Sequence, residues 1–264
     1  METGSVESAK PIHPMQRHLD LEGCPNFRDA GGYETKAGPL GWRRLFRSGH
    51  LADVSEAGRA SLARLGIELV IDLRRADERK LEPSTLAGAK LITAEITPGS
   101  QASAIYADST KLGGAAEMHR FMCEINREFV TSQTSVFARL YEELLDSGAK
   151  RVLFHCSAGK DRTGFAIAML QLALGVAKED VERDYLLSAK YYLPEEHMAR
   201  VRKKYPVDHL SDEDLRPMLE TNGEYLRTAF AAIESAYGSI AKYLVAGLGL
   251  TPTEQARLRE LFLA

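Results

Sequence analysis

Tryptophan occurs once and cysteine three times in these 264 residues, and both scarcities exclude something. Cys24, Cys123 and Cys156 are odd in number and far apart. That pattern gives neither a disulfide framework nor the paired spacing of a zinc site, so no metal and no organic cofactor is expected. Free thiols point to a reducing compartment. No run of 18 apolar residues occurs, so no segment is expected to cross a bilayer. The opening residues, METGSVESAKPIHPMQ, lack the apolar centre of a signal peptide. A cytoplasmic location, or secretion without a classical signal, is therefore the expectation. Neither sign of charge dominates: the net charge is −3 and the sequence pI about 6.2. No nucleic-acid partner is expected from that balance, and the oligomeric state is left open.

What is present is a full core. Hydrophobic residues make up 44% and charged residues 27%, as in a soluble globular domain. Residues 1–15 are polar and contain proline, which predicts a flexible arm. Residues 16–264 are expected to form one domain. Strands are expected at Arg44–Ser48 (RLFRS), Glu68–Leu73 (ELVIDL), Lys90–Ile96 (KLITAEI) and Arg151–His155 (RVLFH). A helix over Ser55–Leu65 has Ser55 as its cap and Gly66 as its stop. Residues 97–116 are rich in Gly, Ser, Ala and Thr, and 97–130 is a candidate lid; 117–146 reads as helix. Arg162–Leu174 is an apolar helix closed by Gly175, and 178–264 is helical almost throughout. The fold class is α/β: a small, mostly parallel central sheet flanked by helices, with a helical C-terminal half.

The chemistry is concentrated in residues 154–164, FHCSAGKDRTG. A buried strand ends at His155, a short loop follows, and a helix opens near Arg162. Loop amides and a helix N-terminus converge there into a nest for an anion. Cys156 opens the loop. N–H donors, Lys160 and Arg162 favour its thiolate, the form that attacks phosphorus. Arg162 lies six positions on, where its planar fork grips two phosphate oxygens and stabilises charge in the transition state. Ser157, Ala158, Gly159 and Lys160 complete the cradle. Thr163 is placed to hydrogen-bond the sulfur, and Gly159 and Gly164 allow the sharp backbone and close helix packing. His155 is expected to orient Cys156 and Asp72 to sit at a strand end facing the crevice. Arg28 and Asp29, in NFRDAGG, are expected to buttress the site. Cys24 and Cys123 belong to no motif and are read as packing thiols, with protection of Cys156 by disulfide formation left open.

HCSAGKDRTG resembles the signature loop of protein tyrosine phosphatases. The wider chain is similar to atypical bacterial members that also accept phosphoserine, phosphothreonine and phosphoinositides. NFRDAGG (26–32), RLFRSG (44–49), LGIELVIDLR (65–74) and YGSIAKYLVAGLGL (237–250) match that pattern, so the resemblance runs from about residue 20 to 262. It implies a cysteine-dependent phosphatase acting on a phosphorylated protein or phosphoinositide through a phosphocysteine. Conventional members carry their acid on a Trp-Pro-Asp loop, but the single tryptophan here is Trp42, in GWRR. The resemblance implies Asp161, within the loop itself, as the acid; the strand-end position makes Asp72 the second candidate, with a salt bridge to Arg74 or a backbone cap as its other reading. It also implies Lys160 as extra charge for polyphosphorylated rings. Two other readings share parts of the pattern: a rhodanese-like sulfurtransferase and a non-catalytic phospho-ligand module.

Overall fold

The computed structural model describes residues 15–84, 86–97 and 113–264. The predicted arm lies, but for Met15, outside the described residues. So does most of the glycine- and serine-rich stretch.

Five short strands form one sheet in the order β1-β2-β5-β3-β4. They are β1 (Arg28–Asp29), β2 (Leu45–Ser48), β3 (Leu69–Asp72), β4 (Lys90–Thr93) and β5 (Val152–His155). β1 pairs antiparallel with β2; the other neighbours are parallel. Strands covered on both faces must be apolar throughout. β2, β3 and β5 are buried at every position, whereas edge strand β4 buries only Ile92. The pleat divides their side chains between two cores. Phe46, Val70 and Leu153 face one, with Leu62 and Leu65 of α1 (Glu56–Leu65). Leu45, Leu69, Ile71, Val152 and Phe154 face the larger core, under the remaining helices.

That larger core is built around α5 (Asp161–Leu174), whose residues from Thr163 onward are almost all buried. Such a helix needs neighbours on every side. It packs against β2, β5, α3 (Ala115–Thr131), α6 (Lys178–Leu186), α10 (Gly223–Tyr237) and α12 (Pro252–Phe262). Among the described residues no helix is long and apolar enough to cross a membrane.

Several predicted boundaries shift. The expected helix 117–146 is two, α3 and α4 (Thr134–Ser147), parted at Ser132–Gln133. β4 stops at Thr93, short of Ile96. The C-terminal region also contains α7 (Ser188–Tyr191), α8 (Pro194–Lys204), α9 (Asp212–Leu219) and α11 (Ile240–Lys242). The last of these runs into a wide π turn at Tyr243–Gly247. A six-residue helix, α2 (Ala76–Leu81), follows β3 where the sequence suggested no element. Within the candidate lid, 98–112 lie outside the described residues, while Met118, Phe121, Met122, Ile125 and Phe129 of α3 are core side chains. α8 reaches the signature loop through Lys204, which donates to Ser157 Oγ.

Candidate active site

The parallel strands end level with one another: Ser48 and Asp72 both pair with His155. Ligands in open α/β sheets collect beyond such carboxyl ends. Cys156 sits there, 2% exposed, with the loop to Lys160 leading into α5.

The loop's peptide orientation is set from outside. His50 N donates to Ser157 O at 3.0 Å. Asn26 Nδ2 donates to Ala158 O and Gly159 O, each at 3.0 Å. Arg47 Nη2 donates to Gly159 O at 2.9 Å and Lys160 O at 3.3 Å. In a trans peptide the N–H points opposite to the carbonyl. Four carbonyls held outward therefore turn the amides of residues 158–161 into the cradle, next to the positive end of α5. Gly159 N already donates to Cys156 Sγ at 3.2 Å. Gly159 has φ +70°, and a β-carbon there would lie 2.4 Å from the Ser48 carbonyl. Only glycine fits this turn.

Within NFRDAGG, Asn26 and Arg28 brace this loop. Arg28 donates to Asn26 Oδ1, fixing the amide so that its Nδ2 faces the loop. It also donates to Ser188 Oγ and Asp184 O, each at 3.0 Å. Asp184, on α6, binds Arg47 at 2.7 Å and stands 3.8 Å from Arg28 Nε. Burial opposes the charge on Asp184, but the two guanidiniums outweigh it and hold its pKa below the usual carboxylate range. Asp29 accepts from Gly31 N at 2.8 Å and Arg43 N at 2.7 Å, which anchors the turn rather than the loop.

Asp72 chelates Arg74 through Nε and Nη2, at 2.9 and 2.7 Å, and lies 3.6 Å from His155 Nε2. Burial would raise its pKa, yet hydrogen bonds from Arg74 and the nearby His155 carry it below the ordinary value. A carboxyl held ionised and doubly bonded is a poor proton donor. His155, buried, has its pKa pushed down to about 4 and is neutral at pH 7. Asp161 differs: it is half-buried at the start of α5, and Oδ1 accepts from the Tyr185 hydroxyl at 3.0 Å. The same Tyr185 ring lies against Gly164, where a β-carbon would come within 2.6 Å.

Arg162 extends its fork to Glu78 on α2: Nη1 to Oε2 at 2.6 Å and Nη2 to Oε1 at 3.0 Å. Lys204 Nζ donates to the same carboxylate at 3.0 Å and to Ser157 Oγ at 2.9 Å. Burial would raise the pKa of Glu78, but Arg162 and Lys204 overwhelm it and hold the group far below its ordinary range. Lys160 is placed differently from its sequence reading. Its Nζ donates to the carbonyls of Met218, Leu219 and Glu220 at 3.0, 2.7 and 2.6 Å. It thus caps the C-terminus of α9. The buried Thr163 hydroxyl has no hydrogen-bond partner among the described residues. Glu78, Lys204, Asp184 and Tyr185 were not singled out from the sequence. Asn26 and Arg47 lay inside quoted motifs without a role.

The family model described as the tyrosine phosphatase family matches residues 19–264. A Cupriavidus necator protein with a provisional tyrosine-protein phosphatase name is 33% identical, the match covering 94% of this chain and 89% of that one. The triple specificity protein phosphatase PtpB of Mycobacterium tuberculosis is 29% identical, over 92% of this chain and 98% of its own. A tyrosine-protein phosphatase of Nostoc commune is 28% identical, over 97% and 86%.

Proposed function

Because the chain belongs to the tyrosine phosphatase family, and is thereby a phosphatase, we propose that it works through a phosphocysteine on Cys156 with an acid inside the signature loop. The observation that carries this reading is the cradle: four carbonyls tied outward by His50, Asn26 and Arg47 leave the amides of 158–161 turned inward beside Cys156 Sγ, where a phosphate would be received. The thiolate attacks phosphorus while the amides and Arg162 receive the equatorial oxygens. Asp161 protonates the leaving oxygen, then takes a proton from the water that attacks the phosphocysteine, and sulfur departs. The Tyr185 hydroxyl orients that carboxyl. Asp72 keeps β3 and His155 in place, since its oxygens are committed to Arg74.

The substrates we infer are phosphotyrosine, phosphoserine or phosphothreonine in proteins, and phosphoinositides. The triple specificity of one relative supports more than one class. Lys204, bonded to Ser157 and Glu78 at the loop, is a cation that can turn from the carboxylate to a second phosphate, whereas the Lys160 ammonium is held by three carbonyls at the end of α9. A cytoplasmic location suits a nucleophile that must stay reduced, whereas secretion without a classical signal would require the thiol to be shielded from oxidants.

Phosphate release in EDTA tests the reading, with a phosphotyrosine peptide, a phosphoserine peptide and a phosphoinositide as substrates. Wild type is expected to act on more than one, Cys156→Ser on none, and Asp161→Asn about 10²–10⁴-fold more slowly. Lys204→Ala is expected to lose more on the phosphoinositide than on the peptides. Near-full activity in Asp161→Asn would remove the in-loop acid. Phosphate binding by wild type with no turnover would leave only a phospho-ligand module.

A further inference from the structure

Beside α9, α3 and α10 bring together three side chains that the phosphatase site does not use. His119 and Cys123 are one turn apart on α3, and Glu224 opens α10. His119 Nε2 lies 3.1 Å from Glu224 Oε2 and 3.7 Å from Cys123 Sγ. All three donor atoms fall within 4.8 Å of one another. Tetrahedral Zn²⁺, with Zn–S about 2.3 Å and Zn–N or Zn–O about 2.0–2.1 Å, separates S from N by roughly 3.5 Å and N from O by roughly 3.4 Å. The His119–Cys123 and His119–Glu224 separations are close to those edges, and the sulfur and the carboxylate oxygen, within 4.8 Å of each other, need only a small side-chain adjustment to close the third.

The other imidazole nitrogen makes the case stronger. Tyr225 donates its hydroxyl proton to Pro217 O at 2.9 Å, so its oxygen can only accept from His119 Nδ1, 3.4 Å away. Nδ1 must then carry a proton. In a neutral ring, Nε2 is left with a bare lone pair aimed at a carboxylate oxygen, two acceptors facing each other. A cation between them resolves the conflict. Metal-bound histidines hold their second nitrogen in this way, on an outer oxygen that fixes the tautomer.

We propose that His119 Nε2, Cys123 Sγ and Glu224 Oε2 form a binding site for a soft divalent cation of the Zn²⁺ class. Thiolate, imidazole and carboxylate together suit zinc better than calcium or magnesium. Binding converts the Cys123 thiol to a zinc-bound thiolate and releases its proton to solvent. The fourth position faces water, because the Glu224 side chain is 59% exposed. The site joins two helices far apart in sequence and, through Tyr225 and Pro217, touches α9, whose end Lys160 caps.

The test uses tag-free full chain carrying Cys156→Ser, stripped with EDTA, so that the nucleophile does not compete for metal. Titration with Zn²⁺ against a chelating dye is expected to give one tight equivalent per chain. Co²⁺ is expected to give a near-ultraviolet thiolate-to-metal band. Adding Cys123→Ser should abolish the band and weaken Zn²⁺ by more than about 100-fold. Tyr225→Phe should cost about 10–100-fold, the range for an outer partner. Glu224→Gln should weaken binding while leaving the thiolate band in place at saturating Co²⁺. Wild type and Cys123→Ser should release phosphate equally when stripped of metal. No uptake by the Cys156→Ser chain, or uptake unchanged by Cys123→Ser, would overturn the proposal and leave a proton as the cation between His119 and Glu224.

Discussion

Glu78 is 1% exposed and has two cations against it, Arg162 and Lys204. Breaking a buried pair by removing one charge typically costs 3–5 kcal/mol, because the remaining charge is stranded. Glu78→Gln strands Arg162 and leaves Lys204 with the Glu82 carboxylate, 3.7 Å away. Urea denaturation is expected to show a loss of about 3–5 kcal/mol relative to wild type. Orthovanadate, which supplies negative charge to the same cations, should restore more stability to the variant than it adds to wild type. Equal stabilisation of both proteins would mean that the anion does not reach Arg162. Arg162→Lys keeps a charge but loses the fork, so it should retain much of the stability and little of the turnover.

At the scale of the element, the signature loop is a strand-to-helix turn whose shape is imposed by chain remote in sequence. Asn26 has φ +60°, so Asn26→Gly keeps the backbone permissible and deletes only the amide. It removes the donors to Ala158 O, Gly159 O and Ser188 Oγ. At about 1 kcal/mol per hydrogen bond, kcat/KM is expected to fall about 10–100-fold, with a modest drop in Tm. Unchanged kinetics would mean that the loop holds its shape alone. Gly159→Ala should be worse, costing more than about 2 kcal/mol in thermal denaturation. A β-carbon there is strained by φ and blocked by the Ser48 carbonyl.

For the whole molecule, acid sensitivity follows from groups that the fold forbids to titrate normally. His155 is buried with its pKa pushed down to about 4, against 6.5 in the unfolded chain. Between those values the unfolded state takes a proton that the native state refuses, so stability is lost as pH falls from 6.5 towards 4. That window is worth about 3 kcal/mol from this histidine alone. Glu78, Asp72 and Asp184 have pKa values held below normal, so their stabilisation is present above the unfolded carboxylate values and is lost on further acidification. Urea midpoints from pH 7.5 to 3.5 should therefore fall in two stages. His50 and His197, whose pKa values burial also pushes down to about 3 and about 4, share the upper stage. His155→Gln should therefore make that stage shallower by its own part and leave the lower stage; an unchanged upper stage would assign it to the other two histidines.

Much of this protein was readable from its residues. RVLFH, HCSAGKDRTG and the apolar run to Leu174 specify a buried strand, a tight strand-to-helix loop and a central helix by local pattern, because burial, turn chemistry and helix caps are short-range properties. Ser55 and Gly66 bounded α1 for the same reason. Three things depended on tertiary structure. The Lys160 ammonium reaches the end of α9 rather than the phosphate cradle, since three unpaired carbonyls there outbid solvent. Asp72 commits its oxygens to Arg74; two positions of spacing make that pair available in the sequence, and only the fold decides it over a role in the crevice. Glu78 and Lys204 meet Arg162 from α2 and α8, and Glu224 meets His119 from 105 positions along the chain. Charge partners separated by that much sequence have no periodicity to betray them; only the packing of helices around the sheet brings them within hydrogen-bond reach.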